Sequence, residues 1–244
     1  VYKRQLLHQH CFPFINTSAP ARTELALAAL IFDRERRGMQ PIITSLLDTD
    51  LYKFTMWQAM LHRHPQTQST YRFVCRSQTE FPLVDLLAEV RAEIDALCAL
   101  KFKKDELDYL ASLRFMKSDF IDFLRIFQFQ RDFIEVEPDG DGLHIVAHGP
   151  QVHVMGFEIF VLSIVNELYF RRFDQASALA EGRKRLGAKI VRLQELAQEA
   201  KHRHPFELFD FGVRRRFSAP WQREVVQAFA TQTAQWFKGT SNVL

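Results

Sequence analysis

The period of the apolar positions changes several times along this chain, and each change predicts an element. Through LYKFTMWQAMLHRH, Tyr52, Met56, Ala59 and Met60 recur at helical spacing as one stripe, with Thr49 or Asp50 placed to cap the start and Pro65 to end it. STYRFVCRSQ then alternates, Tyr71, Phe73 and Cys75 on one side and Arg72, Val74 and Arg76 on the other, which predicts a strand. From Pro82 to Leu97 the helical period returns in Leu83, Leu86, Leu87, Val90, Ile94 and Leu97. KKDELDYLASL and KSDFIDFLRIF repeat it as shorter helices, with Ser118 as the N-cap of the second.

FIEVEPDGDGLHIVAHGP alternates on both sides of Asp139-Gly140-Asp141-Gly142, the chemistry of a β-hairpin turn. An apolar helix is expected from Phe157 to Tyr169. Glu158, Asn166 and Glu167 interrupt VMGFEIFVLSIVNELYF before it reaches the roughly 18 residues of a membrane span, so it reads as a core helix. QASALAEGRKRLGAKIVRLQELAQEAKHRH is a long helix, then FELFDFG a short apolar strand, a helix begins near Pro220, and FKGTSNVL opens another strand. Strand, helix, strand at this spacing is a βαβ unit. The fold class expected is α/β: an α+β N-terminal domain over residues 39–204, then at 205–244 the first strands and helix of an incomplete α/β barrel.

The two ends carry separate expectations. The chain starts at Val1, whereas Met39 stands just before the patterned region, so residues 1–38 are expected to be a non-native or disordered extension. The last residues, WFKGTSNVL, stop at Leu244 inside a strand pattern, as a fragment would.

With 47% hydrophobic and 25% charged residues the chain has the material for a sizeable core. A net charge of +3, from 32 basic against 29 acidic residues, fits a local anion site better than a nucleic-acid surface. Cys11, Cys75 and Cys98 lack metal-ligand spacing, and no cleavage site follows the first residues, so a cytoplasmic protein with no membrane partner is expected.

Chemistry concentrates at the end of the strand FELFDFG. Ligands of parallel α/β units gather at the carboxyl ends of strands, where Gly212 would let a ligand approach and Arg214 to Arg216 would bind phosphates as bidentate forks. In an extended chain Arg214 and Arg216 point one way and Arg215 the other; a solvated loop, or pairing with Asp210 and Glu207, is the plainer account of such a run. Thr240 and Ser241 in GTSN could hydrogen-bond a carboxylate or a ribose, or simply form a turn. Tyr52 and Lys53 could present a ring and a cation. His62, His64, His202 and His204 form no metal motif and read as solvated helix ends, and no Gly-rich nucleotide loop is present.

In this order, LLDTDLYKFTM, FVCR, HGP followed by FEIFVLSIVNE, DFGVRRRFS and FKGTSN resemble the nicotinate phosphoribosyltransferases, type II phosphoribosyltransferases of NAD salvage. The resemblance runs from about Met39 to Leu244. It implies nicotinate, 5-phosphoribosyl 1-pyrophosphate and ATP as substrates, Mg²⁺ as cofactor, and a head-to-tail homodimer with shared active sites. It further implies that Tyr52, from the neighbouring subunit, and Phe211 stack on opposite faces of the pyridine. Arg214 would lie near the carboxylate and ribose phosphate, and Arg76 would reach phosphates from the second subunit. Ser241, beside Thr240, stands where nicotinamide-using relatives carry Asp, which removes a like charge from a carboxylate substrate. The histidine that ATP phosphorylates would lie beyond Leu244, so the fragment alone is expected to be inactive. The alternatives are a nicotinamide- or quinolinate-using relative, or a basic RNA-binding module built on KHRHP and RRRF.

Overall fold

Residues 40–199 and 206–243 are described by the computed structural model, so the expectations for residues 1–38, Met39, Cys11, His202 and His204 lie outside the described residues. Helix α1 (Leu51–Arg63) leads to strand β1 (Gln68–Arg72), and a 3-10 turn (Leu83–Leu86) runs directly into α2 (Leu87–Ala99). Then come α3 (Lys104–Ser112), α4 (Ser118–Ile126), the hairpin β2 (Ile134–Asp139) and β3 (Gly142–Pro150), the single turn α5 (Gln151–Val154), α6 (Phe157–Phe170) and α7 (Gln175–Glu199). Strand β4 (Leu208–Asp210), a 3-10 turn (Val213–Arg215), α8 (Ala219–Gln232) and β5 (Phe237–Thr240) complete the order.

Two small sheets result. The first is antiparallel in the order β1-β3-β2, and the second pairs β4 and β5 in parallel, joined by α8 as the βαβ pattern predicts. The hairpin turns at Gly140 and Asp141, with Asp139 paired to Gly142 and Gly140 at φ 54°, a conformation glycine adopts without a steric penalty. The fold is therefore mixed α/β with small sheets; among the described residues there is no barrel.

The core fills the space between the three-stranded sheet and the helices. Phe54, Leu86, Val90, Ile94, Leu97, Leu110, Phe120 and Leu124 are completely buried beside Ile134, Val136, Ile145 and Ala147. Each such large side chain contributes about 1.5–3 kcal/mol by leaving water. Trp57 is the hub on α1: its ring centre lies 4.6 Å from that of Phe127 and 6.2 Å from that of Phe123, and its indole N–H donates to the Val152 carbonyl at 2.5 Å.

Several local expectations are corrected. The core face of α1 is Phe54 and Trp57, with Met60 and Leu61 packed alongside, whereas Met56 and Ala59 of the expected stripe are exposed. The larger aromatic rings find the core, and of the expected stripe only Met60 packs against it. Asp50 occupies the N-cap position but makes no capping bond, because its carboxylate accepts from Ser241 instead. Ser118 lies inside α4, whose N-cap is Lys117. The strand read into STYRFVCRSQ ends at Arg72, although Phe73 N–H still reaches the Ile145 carbonyl at 2.9 Å.

By length and composition Gln151–Phe170 does reach the size of a membrane span, but most of it is buried inside the fold, and its longer part, α6, is the core helix. Strand β4 is half open to solvent, with Phe209 and, just beyond its end, Phe211 exposed. Cys75 is exposed, and burial pushes the Cys98 thiol up to about 11, away from reactivity. Among the described residues no group of three or more His, Cys, Asp or Glu could hold a metal. His62 pairs with Asp119 at 3.0 Å.

Candidate functional site

The site forms where the start of α1 meets the ends of β4 and β5. Leu51 N–H donates to the Ser241 carbonyl at 2.7 Å, Val243 N–H to the Thr49 carbonyl at 3.0 Å, and Asp50 and Asn242 form an isolated β-bridge. Ser241 Oγ donates to Asp50 Oδ1 at 2.5 Å. These bonds bring Tyr52 over Phe211 within one chain.

Tyr52 and Phe211 stack with ring centres 5.6 Å apart and planes 24° from parallel. A flat ring held on both faces needs about 7 Å between its neighbours, twice a carbon contact of about 3.5 Å. The two rings therefore stack on each other and must part by roughly 1.5 Å to admit a third. Beside them lies an open hollow of about 430 Å³ lined by Leu51, Tyr52, Thr55, Phe115, Phe211, Thr240 and Ser241. All four residues predicted to bind the pyridine are thus in one wall.

The three arginines do three different things. Val213–Arg215 is a 3-10 turn and not extended chain, so the alternation expected for Arg214 to Arg216 fails. Arg214 donates to Glu158 Oε1 at 3.1 Å and to the Tyr52 hydroxyl at 3.3 Å, and its guanidinium carbon lies 5.1 Å from the Phe211 ring centre. Arg215 is exposed. Arg216, for which a solvated loop or pairing with Asp210 and Glu207 was the plainer expectation, is wholly buried against Asp48 and Glu167. Lys53 is buried too, paired with Glu158.

Gly212 also has another role than ligand approach. Its φ is −101°, which any residue adopts, but a Cβ there would fall 2.7 Å from the Gln222 side-chain amide. That amide donates to Asp210 Oδ2 at 2.8 Å, and Thr240 Oγ1 donates to the same oxygen at 2.7 Å. The glycine makes room for the bond that aligns β4 and β5.

Arg76 lies apart from the hollow, in a cleft of about 1090 Å³ between the β1 edge and α6 that Arg72, Arg214 and Arg215 also line. Arg214 stands at the junction, bonded to Tyr52 of the hollow while lining the cleft. The structure thus brings together Tyr52, Phe211, Thr240, Ser241 and Arg214, and joins Arg76 to them through the cleft only.

The site holds an acid that sequence reasoning passed over. Asp50 is 0% exposed and its Oδ2 has no hydrogen-bond partner, though Arg214 Nε lies 4.0 Å away. The absence of Asp at position 241 therefore does not empty this corner of carboxylates. Burial raises the Asp50 carboxyl above its ordinary range, against the Ser241 hydrogen bond and the charges of Arg214 and Lys53.

A folded-state value above the unfolded one means that the native state binds this proton more tightly. The contribution is full below the unfolded pKa and is lost as pH rises through the raised folded value. Asp50→Asn, which cannot ionise, is expected to gain stability relative to the parent as pH rises from 4 to about 8. Urea unfolding across that range checks it, and a pH-independent difference between the two proteins would count against it.

Phe115 was missed as well. Its carbonyl accepts from Gln58 Nε2 at 3.1 Å and Lys117 N–H donates to Gln58 Oε1 at 2.6 Å, so a single amide on α1 holds the Phe115 loop against the hollow. No periodicity marks a residue held this way. Glu158, Asn166 and Glu167 did leave a signal, as polar breaks in an apolar helix; all three bond the arginine turn.

Comparison with known proteins places this arrangement in a family. Residues 47–166 match the nicotinate phosphoribosyltransferase N-terminal domain, and residues 206–244 match the nicotinate phosphoribosyltransferase family. The chain is 62% identical over 205 residues to a nicotinate phosphoribosyltransferase of Herminiimonas arsenicoxydans, covering 84% of this chain and 52% of that protein. It is 53% identical over 211 residues to one from Acinetobacter baylyi, covering 85% and 52%. A crystal structure of nicotinate phosphoribosyltransferase from Vibrio cholerae superposes with a TM-score of 0.73 at 31% identity, over 84% of this chain and 48% of that one. The chain spans about half the length of the curated relatives it matches. It belongs to the nicotinate phosphoribosyltransferase family.

Proposed function

We propose that this chain supplies the pyridine and phosphoribosyl side of an enzyme that joins nicotinate to 5-phosphoribosyl 1-pyrophosphate, giving nicotinate mononucleotide and pyrophosphate with accompanying ATP hydrolysis. The observation that carries the reading is the grouping of Tyr52, Phe211, Thr240 and Ser241 around one hollow with Arg214 at its border, in a chain of this family. In this reaction the pyridine nitrogen forms a bond to the anomeric carbon as the bond to pyrophosphate breaks. Positive charge grows on the sugar and negative charge on the leaving group. Tyr52 and Phe211 hold the pyridine plane, which aligns the nitrogen for attack. Arg214, on the border of the hollow, reaches towards the carboxylate and ribose phosphate, and Arg76 in the cleft supplies a second guanidinium for phosphates.

The family's Mg²⁺ finds no protein cage among the described residues, since no three acidic, His or Cys side chains converge. In this reading the ion arrives with the substrate's phosphates, and no step is routed through it. ATP is the co-substrate whose hydrolysis accompanies the transfer. The same reading takes β4, α8 and β5 as the opening of an α/β barrel, a homodimer sharing its sites, and a cytoplasmic location.

Calorimetric titration of the chain with nicotinate and with nicotinamide tests the reading. Nicotinate is expected to bind more tightly, and Phe211→Ala to weaken it by about three- to tenfold, the worth of one aromatic face. Equal affinity for the two pyridines, or none for nicotinate, would overturn it.

A further inference from the structure

The turn that carries Arg214 is held from two directions. On α6, Ser163 Oγ donates to the Val213 carbonyl at 3.1 Å, Asn166 Nδ2 donates to the Arg214 carbonyl at 3.1 Å, and Glu167 accepts from Arg216 Nε at 2.6 Å. These three residues share one helix face by their spacing. From the segment before α1, Asp48 accepts from both terminal nitrogens of Arg216, Nη2 at 2.8 Å. The Arg216 side chain is 0% exposed, that of Glu167 6% and that of Asp48 13%.

Asp48 precedes Asp50 by two residues, and Arg216 follows Arg214 by two. The fork thus joins the two segments that contribute Tyr52 and Arg214, four residues before the first and two after the second. We propose that Arg216 is a positioning residue: its fork onto Asp48 and Glu167 sets the spacing between the start of α1 and the arginine turn, so that Arg214 reaches the Tyr52 hydroxyl and Glu158 together. A planar guanidinium with donors on three nitrogens can hold two carboxylates at fixed angles. An ammonium supplies the charge without the geometry. As a statement about nicotinate affinity, the inference rests on the function proposed above; as a statement about Arg214, it does not.

Two variants of the 244-residue chain test it. Arg216→Lys keeps the charge, and the triple variant Asp48→Leu, Glu167→Gln, Arg216→Met removes all three charges together, so that one or the other stays folded. Folding is checked by circular dichroism. The first readout needs no ligand: the ¹⁵N–¹H Nε resonance of Arg214, identified by its loss in Arg214→Lys. It is expected to shift and broaden in a folded variant as the guanidinium loses its fixed partners. The second is nicotinate affinity, expected to fall at least about tenfold in the folded variant and to fall no further when Arg214→Lys is added. An unchanged Arg214 resonance in a folded variant would overturn the inference. So would an affinity loss that adds fully to that of Arg214→Lys. A parent chain that binds no nicotinate would overturn the functional reading, while the resonance still decides this one.

Discussion

Arg216→Met alone is expected to cost about 3–5 kcal/mol of folding stability. The methionine fills much the same volume, so the loss is electrostatic: Asp48 and Glu167 are left facing each other without the cation that holds both. Burial already pushes the Glu167 carboxyl up, against the pull of Arg216, and losing that arginine pushes it up further. Asp48 is the nearer to solvent of the two, with a side chain 13% exposed, and its relaxation toward water limits the cost. A urea midpoint displaced with the slope unchanged would report this loss. A displacement worth less than about 1 kcal/mol would mean that the fork contributes no more than a surface pair.

Trp57→Ala is expected to be as damaging, about 3–5 kcal/mol, for a different reason. Here the cost is a cavity among Phe54, Phe123, Phe127 and Phe129, together with a Val152 carbonyl that loses its donor. Because α1 carries Tyr52 on another face, the helix that presents the ring is loosened along with the core. The melting temperature should fall by about 10 °C, and Trp57→Phe should recover more than half of that by restoring the ring without the N–H. Against a total stability of about 5–15 kcal/mol, either substitution removes a large share.

The elements were legible because local patterning decided them: the Gly140-Asp141 turn, the period of α2 and the βαβ order all rest on neighbours in sequence. The face of α1 was not, since two stripes compete on it and only the packing of Trp57 among phenylalanines from distant segments selects the inner one. The same holds for the site. Tyr52, Phe211, Thr240 and Ser241 follow from motifs, but nothing local says that Asp50 takes the Ser241 hydroxyl or that Gln222 lies above Gly212. The arginine run shows why. Its three side chains are alike in sequence, yet Arg214 and Arg216 are drawn inward by Glu158, Glu167 and Asp48, all about 50 or more residues away, while Arg215 stays exposed.

The bond between Ser241 and Asp50 spans 191 positions of chain. Contacts of such separation form late, because the entropy of closing a long loop must be met before they return any energy. The hollow therefore does not exist in a partly folded chain, whatever helices and hairpins that chain has already made. An intermediate lacking only this closure would retain most of the native secondary structure with Tyr52 and Phe211 apart. During synthesis the hollow's two edges can meet only once Ser241 has followed Asp50, 191 positions later.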